Sequence, residues 1–316
     1  MLDLTSKEVP RLYLFIRAVR LPFLIATFFP VTLGALEAAR EGLFDPLLYI
    51  LTLLGVSLIH FGLNAANDVF DFKLGADKVN LTPTPFSGGS RVLVEGLITE
   101  RGMKLLFSIC YLIGIGIGLY LALTRGFIPI ISLTLLGFFL SFFYTAPPFK
   151  LAYRGLGEIA IFLGFGPTLV LGSYFVQAQR FTLEALYLSI PIGILIMLIL
   201  YVNEIPDRPW DAKAGKRTLI VRLKKEAIVK GYYALIALVY VSIVIGSFIG
   251  LLPIYCLASL ITVIWAPKVA KGIKENFENA YALIPTMAKH LKLYAFTALI
   301  ISLSFVLDIV VKDLLL

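Results

Sequence analysis

Charge is scarce in this chain: Asp, Glu, Lys and Arg together make up 15% of its 316 residues, against 59% hydrophobic residues. So little charge cannot cover a water-soluble globule of this size, and with a mean hydropathy of +0.92 the chain reads as a polytopic membrane protein. Cysteine and histidine are rarer still, at two each. Cys110 and Cys256 both fall inside apolar runs, which excludes a disulfide framework and a cysteine metal site and leaves packing roles. A bis-histidine haem site from His60 and His290 is a poor fit, because His290 is expected in a loop; packing or surface roles suit both. Alternation with period two is missing, and a barrel goes with it, since only helices and closed barrels satisfy the backbone in lipid. No A-x-A type cleavage site follows the basic first twenty residues, so no removable signal peptide is expected.

What the chain has instead is long apolar runs. Stretches of the length needed to cross a bilayer lie at about 21–39, 47–67, 104–123, 127–145, 156–177, 183–203, 229–247, 249–266 and 293–311. The expected fold is all-α, with nine transmembrane helices. Counted loop by loop, 24 of the 28 Lys and Arg residues fall on one side, and only Arg40, Arg125, Arg180 and Lys312 on the other. The positive-inside rule then puts the N-terminus in the cytoplasm and the C-terminus outside, in a cell membrane. The net charge of +8 becomes a cytoplasmic face suited to anionic lipid headgroups or phosphorylated substrates, with no need for a nucleic-acid partner. Without a Pro/Gly/Ser-rich linker, residues 1–316 read as one domain.

The ends of spans 2 and 6 carry a repeat. "NAANDVFDFKLGAD" places Asn64, Asp68 and Asp71 at i, i+4 and i+7, and "NEIPDRPWDAKAGKRTL" places Asn203, Asp207 and Asp211 at i, i+4 and i+8. On a helix each triplet forms one line of oxygen ligands. Carboxylates beside hydrocarbon are costly, so two matching lines at one depth argue for a bound cation cluster rather than for solvated span ends. Hard oxygen donors select Mg²⁺, with Mn²⁺ able to substitute, and Mg²⁺ commonly bridges carboxylates to phosphates. Cationic donors for a diphosphate are at hand in the same loops: Lys73, Arg91, Lys150, Arg154, Lys213, Lys216 and Arg217. Gly88 and Gly89 would let backbone approach an anion closely. "AGKRT" is not a nucleotide P-loop, because Trp210 stands where a glycine is needed and Arg217 follows Lys216. Tyr144, Tyr153 and Tyr201 fall near the ends of the Asp lines, either as an aromatic belt or as rings facing a carbocation.

These motifs resemble those of the UbiA superfamily of intramembrane aromatic prenyltransferases, over essentially the whole chain. "GGSRVLVEG" and "YTAPPFKLAYRGLGE" look more particularly like its MenA branch, which prenylates 1,4-dihydroxy-2-naphthoate in menaquinone biosynthesis. The resemblance implies that Asn64, Asp68, Asp71, Asn203, Asp207 and Asp211 hold Mg²⁺ and a polyprenyl diphosphate at the cytoplasmic mouth of a central cavity open sideways to membrane lipid. It implies an aromatic acceptor; 4-hydroxybenzoate, homogentisate, a chlorophyllide, haem or a glycerol-phosphate lipid are the alternatives. Gly75 occupies the place of the superfamily's last Asp, with Asp77 two residues on, which leaves a ligand role for Asp77 open. From other classes, a transporter shares the repeats but keeps coupling acids near the midplane. An alcohol phosphatidyltransferase would need an Asp-Gly-x2-Ala-Arg stretch that is missing here.

Overall fold

The computed structural model describes residues 9–315 and is helical throughout; among them the only strand-like pairing is an isolated bridge between Thr84 and Ser87. In chain order the helices are α1 (Arg11–Ala18), α2 (Leu21–Ala39), α3 (Pro46–Leu74), α4 (Ala76–Val79), α5 (Glu100–Arg125) and α6 (Phe127–Phe142), followed by α7 (Gly157–Ala178), α8 (Leu183–Asn203), α9 (Arg208–Lys213), α10 (Leu219–Arg222), α11 (Lys225–Phe248), α12 (Ile254–Asn276) and α13 (Ile284–Leu315). Of these, eight are long and apolar enough to cross a membrane. The ninth expected span, α6, is apolar but has 16 residues, about 24 Å of helix, because Gly126 (φ 143) turns the chain sharply just before it.

Local chemistry sets the ends. Asp45 caps α3 by accepting from the backbone N–H groups of Leu47 and Leu48 at 2.8 and 3.1 Å, with Pro46 at the first helical position, and Gly75 ends it at φ 91. Thr99 and Thr182 cap α5 and α8 in the same way. The second motif departs from the sequence expectation. Pro206 lacks an N–H and ends α8 at Asn203, and Pro209 opens the separate α9, so Asn203, Asp207 and Asp211 do not share one continuous helix. The eighth span starts later than expected and runs to Asn276, since the Gly250–Pro253 turn delays it and the Lys-bearing segment from Ala266 continues the helix. His290 lies within α13 and is 1% exposed, packed between Tyr232 and the carbonyl of Leu195, rather than in a loop.

Helix α8 is apolar on every side, as a helix surrounded by others must be. It runs through the largest buried cluster, with α11, α12, α13 and Phe29 and Leu33 of α2. The ring closes where α13 meets α2. There Tyr294 donates to the carbonyl of Ile25 at 3.0 Å and Arg40 pairs with Asp308 at 2.8 Å. Of the basic residues expected before the first span, Lys7 lies outside the described residues; Arg11 and Arg17 are on α1, and Arg20 turns inward.

Candidate functional site

A cavity of about 1050 Å³, counting the open space at its mouth, lies where α2, α3, α7 and α8 end together. Its mouth is polar and its depth is lined by Phe23, Phe165, Ile196 and Ile199. Both motifs reach it, and each is held by the other. Lys216, from the second, donates to Asp71 of the first at 3.1 Å and lies 3.7 Å from Asp211. In return, the loop that follows the first motif covers the second. Asn80 donates to Asp207 at 2.9 Å, the Gly88 N–H donates to its other oxygen at 2.8 Å, and Trp210 donates to Thr82 at 2.8 Å. That loop needs its glycines: Gly88 and Gly89 sit at φ 78 and 76, and a Cβ would lie 2.8 Å from Asn80 and from Asp77 respectively.

Asp71 accepts from Tyr153 at 2.8 Å and from Asn67 at 3.1 Å. Asp68 is placed differently. It is 2% exposed, accepts from Arg20 and from the Ser90 hydroxyl and N–H, and does not line the cavity. It binds Arg20, which does line the cavity, from a left-handed backbone position (φ 50) of the kind that clusters at functional sites. Asn64 and Asn203 line the cavity as expected, and Asn64 also donates to the carbonyl of Val19 at 2.8 Å.

Among the cationic candidates, Lys216 alone lines the cavity. Lys73 pairs with Glu100 at 3.0 Å on the surface. Arg91 donates to the carbonyls of Asp77 and Asn80 at 2.6 and 3.4 Å, tying the covering loop down. Arg154 caps the carbonyl of Pro148 at 3.0 Å, Lys150 lies 5.9 Å from the Tyr153 ring centre, and Lys213 lies over Trp210 at 4.5 Å. Arg217 is exposed and its N–H donates to the carbonyl of Tyr153 at 3.2 Å. Of the tyrosines, Tyr144 lines the cavity, Tyr153 binds Asp71, and Tyr201 is a packing residue donating to the carbonyl of Ile228 at 3.0 Å.

Sequence reasoning missed Arg20, Asn67, Asn80 and Glu204, all on the cavity wall, and left Asp77, which also lines it, undecided. The available signal was proximity: Asn67 adjoins Asp68, and Glu204 lies between Asn203 and Asp207. Glu204 is 6% exposed, and its Oε2 atom has no hydrogen-bond partner.

The wall carries five carboxylates (Asp71, Asp77, Glu204, Asp207 and Asp211) against two cationic side chains, Arg20 and Lys216. The imbalance shows in the acids. Burial, then repulsion from Asp71 and Asp68, pushes the Asp77 carboxyl well above its ordinary range. Burial, opposed by Lys216 and reinforced by Asp207 and Asp71, pushes Asp211 up to about 7. Burial works against the charge on Lys216, but Asp211 and Asp71 outweigh it and hold the ammonium well above its usual value.

Such a site fits added cations. Among the described residues no three Asp, Glu, His or Cys side chains converge on one metal position, so the site is not an all-protein cage. Mg²⁺ does not need one, because it binds through one or two carboxylates and completes its shell with water and phosphate oxygens.

The sequence pattern that defines the UbiA prenyltransferase family matches residues 27–284. The chain belongs to the UbiA prenyltransferase family. It is 30% identical over 262 residues to the chloroplastic 2-carboxy-1,4-naphthoquinone phytyltransferase of Arabidopsis thaliana, a match covering 79% of this chain and just under two thirds (65%) of that one. It is 30% identical to the 1,4-dihydroxy-2-naphthoate octaprenyltransferase of Bacillus subtilis over 70% of this chain and 69% of that one. To the protein of the same name in Escherichia coli it is 26% identical, over 97% and 98% of the two lengths. The structure of a UbiA homolog from Archaeoglobus fulgidus bound to GPP and Mg²⁺ superposes with a TM-score of 0.66, covering 91% of this chain and 99% of that one at 16% identity, which establishes a shared fold. As a UbiA-family member the chain is an integral membrane prenyltransferase.

Proposed function

We propose that this protein transfers a prenyl group from a polyprenyl diphosphate to 1,4-dihydroxy-2-naphthoate, as one membrane domain over residues 1–316, with Mg²⁺ as cofactor and Mn²⁺ able to replace it. The observation that carries the reading is the five-carboxylate mouth, cross-tied by Lys216 and Asn80, above an apolar cavity. The naphthoate acceptor is favoured by the names of the relatives from Bacillus subtilis and Escherichia coli.

Asp71, Asp77, Asp207 and Asp211, with the side-chain oxygens of Asn64, Asn67 and Asn203, are the groups that would hold the metal. Bound Mg²⁺ supplies charge neutralisation on the diphosphate, which lowers the barrier to breaking the allylic C–O bond. Arg20 and Lys216 bind phosphate oxygens as the leaving group gains negative charge, where fixed positive charge counts most. Phe23, Phe165 and Ile199 keep water from the allylic cation, and the Tyr144 ring faces it. The electron-rich naphthoate ring forms the new C–C bond, and its carboxylate departs as CO₂, leaving the bonding electrons on the ring.

The test is product analysis. Wild-type protein in lipid nanodiscs, given Mg²⁺, geranylgeranyl diphosphate and 1,4-dihydroxy-2-naphthoate, should yield a decarboxylated prenyl naphthoquinol by mass spectrometry. If that acceptor is left untouched while 4-hydroxybenzoate is prenylated, the acceptor assignment is wrong.

The pH dependence follows from Asp211, whose carboxyl is pushed up to about 7 in the metal-free protein. A raised acid must lose its proton before it can bind a cation, so protons compete with the metal at and below neutral pH. Apparent Mg²⁺ affinity should fall as pH drops below about 7, by up to about tenfold per pH unit for each proton displaced. Calorimetric titration in buffers of different ionisation enthalpy checks this. Affinity that is flat across neutral pH, with no proton release, would count against the assignment.

Orientation follows from the lopsided loop charges: the mouth, with Asp77 and Lys216, faces the cytoplasm of a cell membrane. Single cysteines placed at the exposed Lys213 and Lys224 should be protected from an impermeant thiol reagent in intact cells and labelled after lysis. Labelling in intact cells would reverse the topology.

A further inference from the structure

Glu204 is the one carboxylate on the cavity wall that the metal reading leaves without a task. It closes the end of α8, its N–H donating to the Leu200 carbonyl at 2.9 Å, so Leu200 and Glu204 follow each other on one helical face, and both line the cavity. The side chain is 6% exposed, and its Oε2 atom is buried with no hydrogen-bond partner. Off the cavity wall, in the first turn of α7, Glu158 is 3% exposed, and both of its carboxylate oxygens are buried without a partner too. The two carboxyls lie within hydrogen-bonding reach of each other.

Buried polar groups are paired as a rule, and a leucine would serve better at a position that only packed. Two carboxyls that meet out of water cannot both hold charge, so one shared proton ties the pair. That tie takes the Glu204 oxygen shut off from the cavity and leaves Oε1 toward the space that Glu204 lines.

Beside Glu204 the wall is apolar. Leu63, Tyr144, Ile161, Phe165 and Leu200 all line the cavity and pack as one cluster. An apolar surface with a fixed hydrogen-bond acceptor next to it suits a flat aromatic ring that carries a hydroxyl. It does not suit the diphosphate, which offers only oxygens and would be repelled by a carboxylate.

We infer that Glu204 reads the aromatic acceptor: its cavity-facing oxygen accepts a hydrogen bond from a ring hydroxyl, with Glu158 fixing the carboxyl in that direction. The ring is then held one way round against the apolar wall while the aspartates hold the donor. In 1,4-dihydroxy-2-naphthoate the 1-hydroxyl adjoins the carboxylate and bonds to it, which leaves the 4-hydroxyl as the free donor for Glu204. The inference rests on the prenyl-transfer reading.

The test compares full-length wild type, Glu204→Leu and Glu204→Gln in nanodiscs with Mg²⁺ and geranylgeranyl diphosphate. The acceptor is 1,4-dihydroxy-2-naphthoate, and 1-hydroxy-2-naphthoate, which lacks the 4-hydroxyl, is the competing ligand. Glu204→Leu should lower kcat/KM for the dihydroxy acceptor about tenfold or more, a loss of about 1.4 kcal/mol. Its inhibition constant for the monohydroxy ligand should stay within about twofold of wild type, because that ligand never made the bond. Glu204→Gln keeps a carbonyl oxygen and should recover most of the rate. In both variants the KM for the diphosphate and the Mg²⁺ concentration at half-activity should match wild type. If Glu204→Leu does not fold, the double variant Glu158→Leu/Glu204→Leu strands no buried charge and gives the same comparison. Equal weakening of both naphthoates would make Glu204 a packing group, a shift in the Mg²⁺ or diphosphate dependence would make it part of the metal site, and no change in any constant would leave it idle; each of these overturns the inference. If wild type prenylates 4-hydroxybenzoate instead, benzoate becomes the ligand without the hydroxyl and the comparison is unaltered. If wild type prenylates neither acceptor, the prenyl-transfer reading falls, and the role of Glu204 with it.

Discussion

Asp71→Asn and Asp207→Asn should each lower kcat/KM for prenyl transfer by about 10²–10³-fold or more, the scale seen when one group stabilising developing charge is removed. Both carboxylates face the cavity mouth rather than a packed apolar core, and each sits among other acids that repel it. Removing one negative charge relieves that repulsion and offsets part of the hydrogen bonding each carboxylate loses, so the metal-free melting temperature should change far less than the activity. Asp68→Asn is expected to behave differently. It removes the countercharge that holds Arg20 but leaves the cavity acids in place, so the loss should be about 10- to 100-fold, as for groups that orient a ligand rather than bind the metal. Steady-state kinetics with geranylgeranyl diphosphate and 1,4-dihydroxy-2-naphthoate, beside thermal melts with and without Mg²⁺, separates the two cases. Near-wild-type turnover in Asp207→Asn would refute the metal–diphosphate site.

The helices and the acidic lines were legible in the sequence for physical reasons. Apolar runs long enough for hydrocarbon have few alternatives to a helix, and Asn64, Asp68 and Asp71 do lie on one continuous helix. What the spacing could not show is which way each side chain turns. Asp68 and Asp71 are three residues apart, yet Asp68 lies off the cavity wall, bound to Arg20, and Asp71 faces Lys216 within it. The partners decide that, and Arg20 and Ser90 are 48 and 22 residues away from Asp68. Most of the cationic candidates lie off the cavity wall for a related reason. Loop membership alone points to Lys73, Arg154 and Lys213, and most basic residues in such loops face water or lipid headgroups, as these three exposed side chains do. Proline explains the break in the second motif: the i+4 spacing assumes one continuous helix, which Pro206 and Pro209 interrupt.

The cross-tied mouth also bears on class. A transporter of this size would keep its coupling acids near the middle of the bilayer. Here the acids gather where α3 and α8 end, and the two neighbouring pockets between the helices have no acid on their walls. That arrangement fits a polar reaction centre at one face better than a transport path through the bilayer.

Lys216→Met should produce the second largest effect, and its signature differs from that of the aspartates. The ammonium spans both motifs, 3.1 Å from Asp71 and 3.7 Å from Asp211, and it is the one cavity-lining cation that the second motif supplies. Methionine keeps the volume and removes the charge. Breaking a buried pair by removing one partner costs about 3–5 kcal/mol when the other charge stays unpaired. Asp211 can take up a proton at neutral pH, so the destabilisation of the metal-free protein should be smaller than that. Added Mg²⁺ then meets one fewer positive charge and should bind more tightly, raising the melting temperature more in the variant than in wild type. Catalysis should still fall by about 10²–10³-fold, because the leaving diphosphate loses a fixed positive charge that the metal does not replace. Lys216→Arg, which keeps the charge but not the shape, should recover part of the rate. Melts across a Mg²⁺ series together with kcat and KM for the diphosphate give the answer. If Lys216→Met turns over normally, Lys216 is only a structural tie between the motifs. If it loses activity while its Mg²⁺-dependent melting shift stays at the wild-type value, the metal does not sit between Asp71 and Asp211.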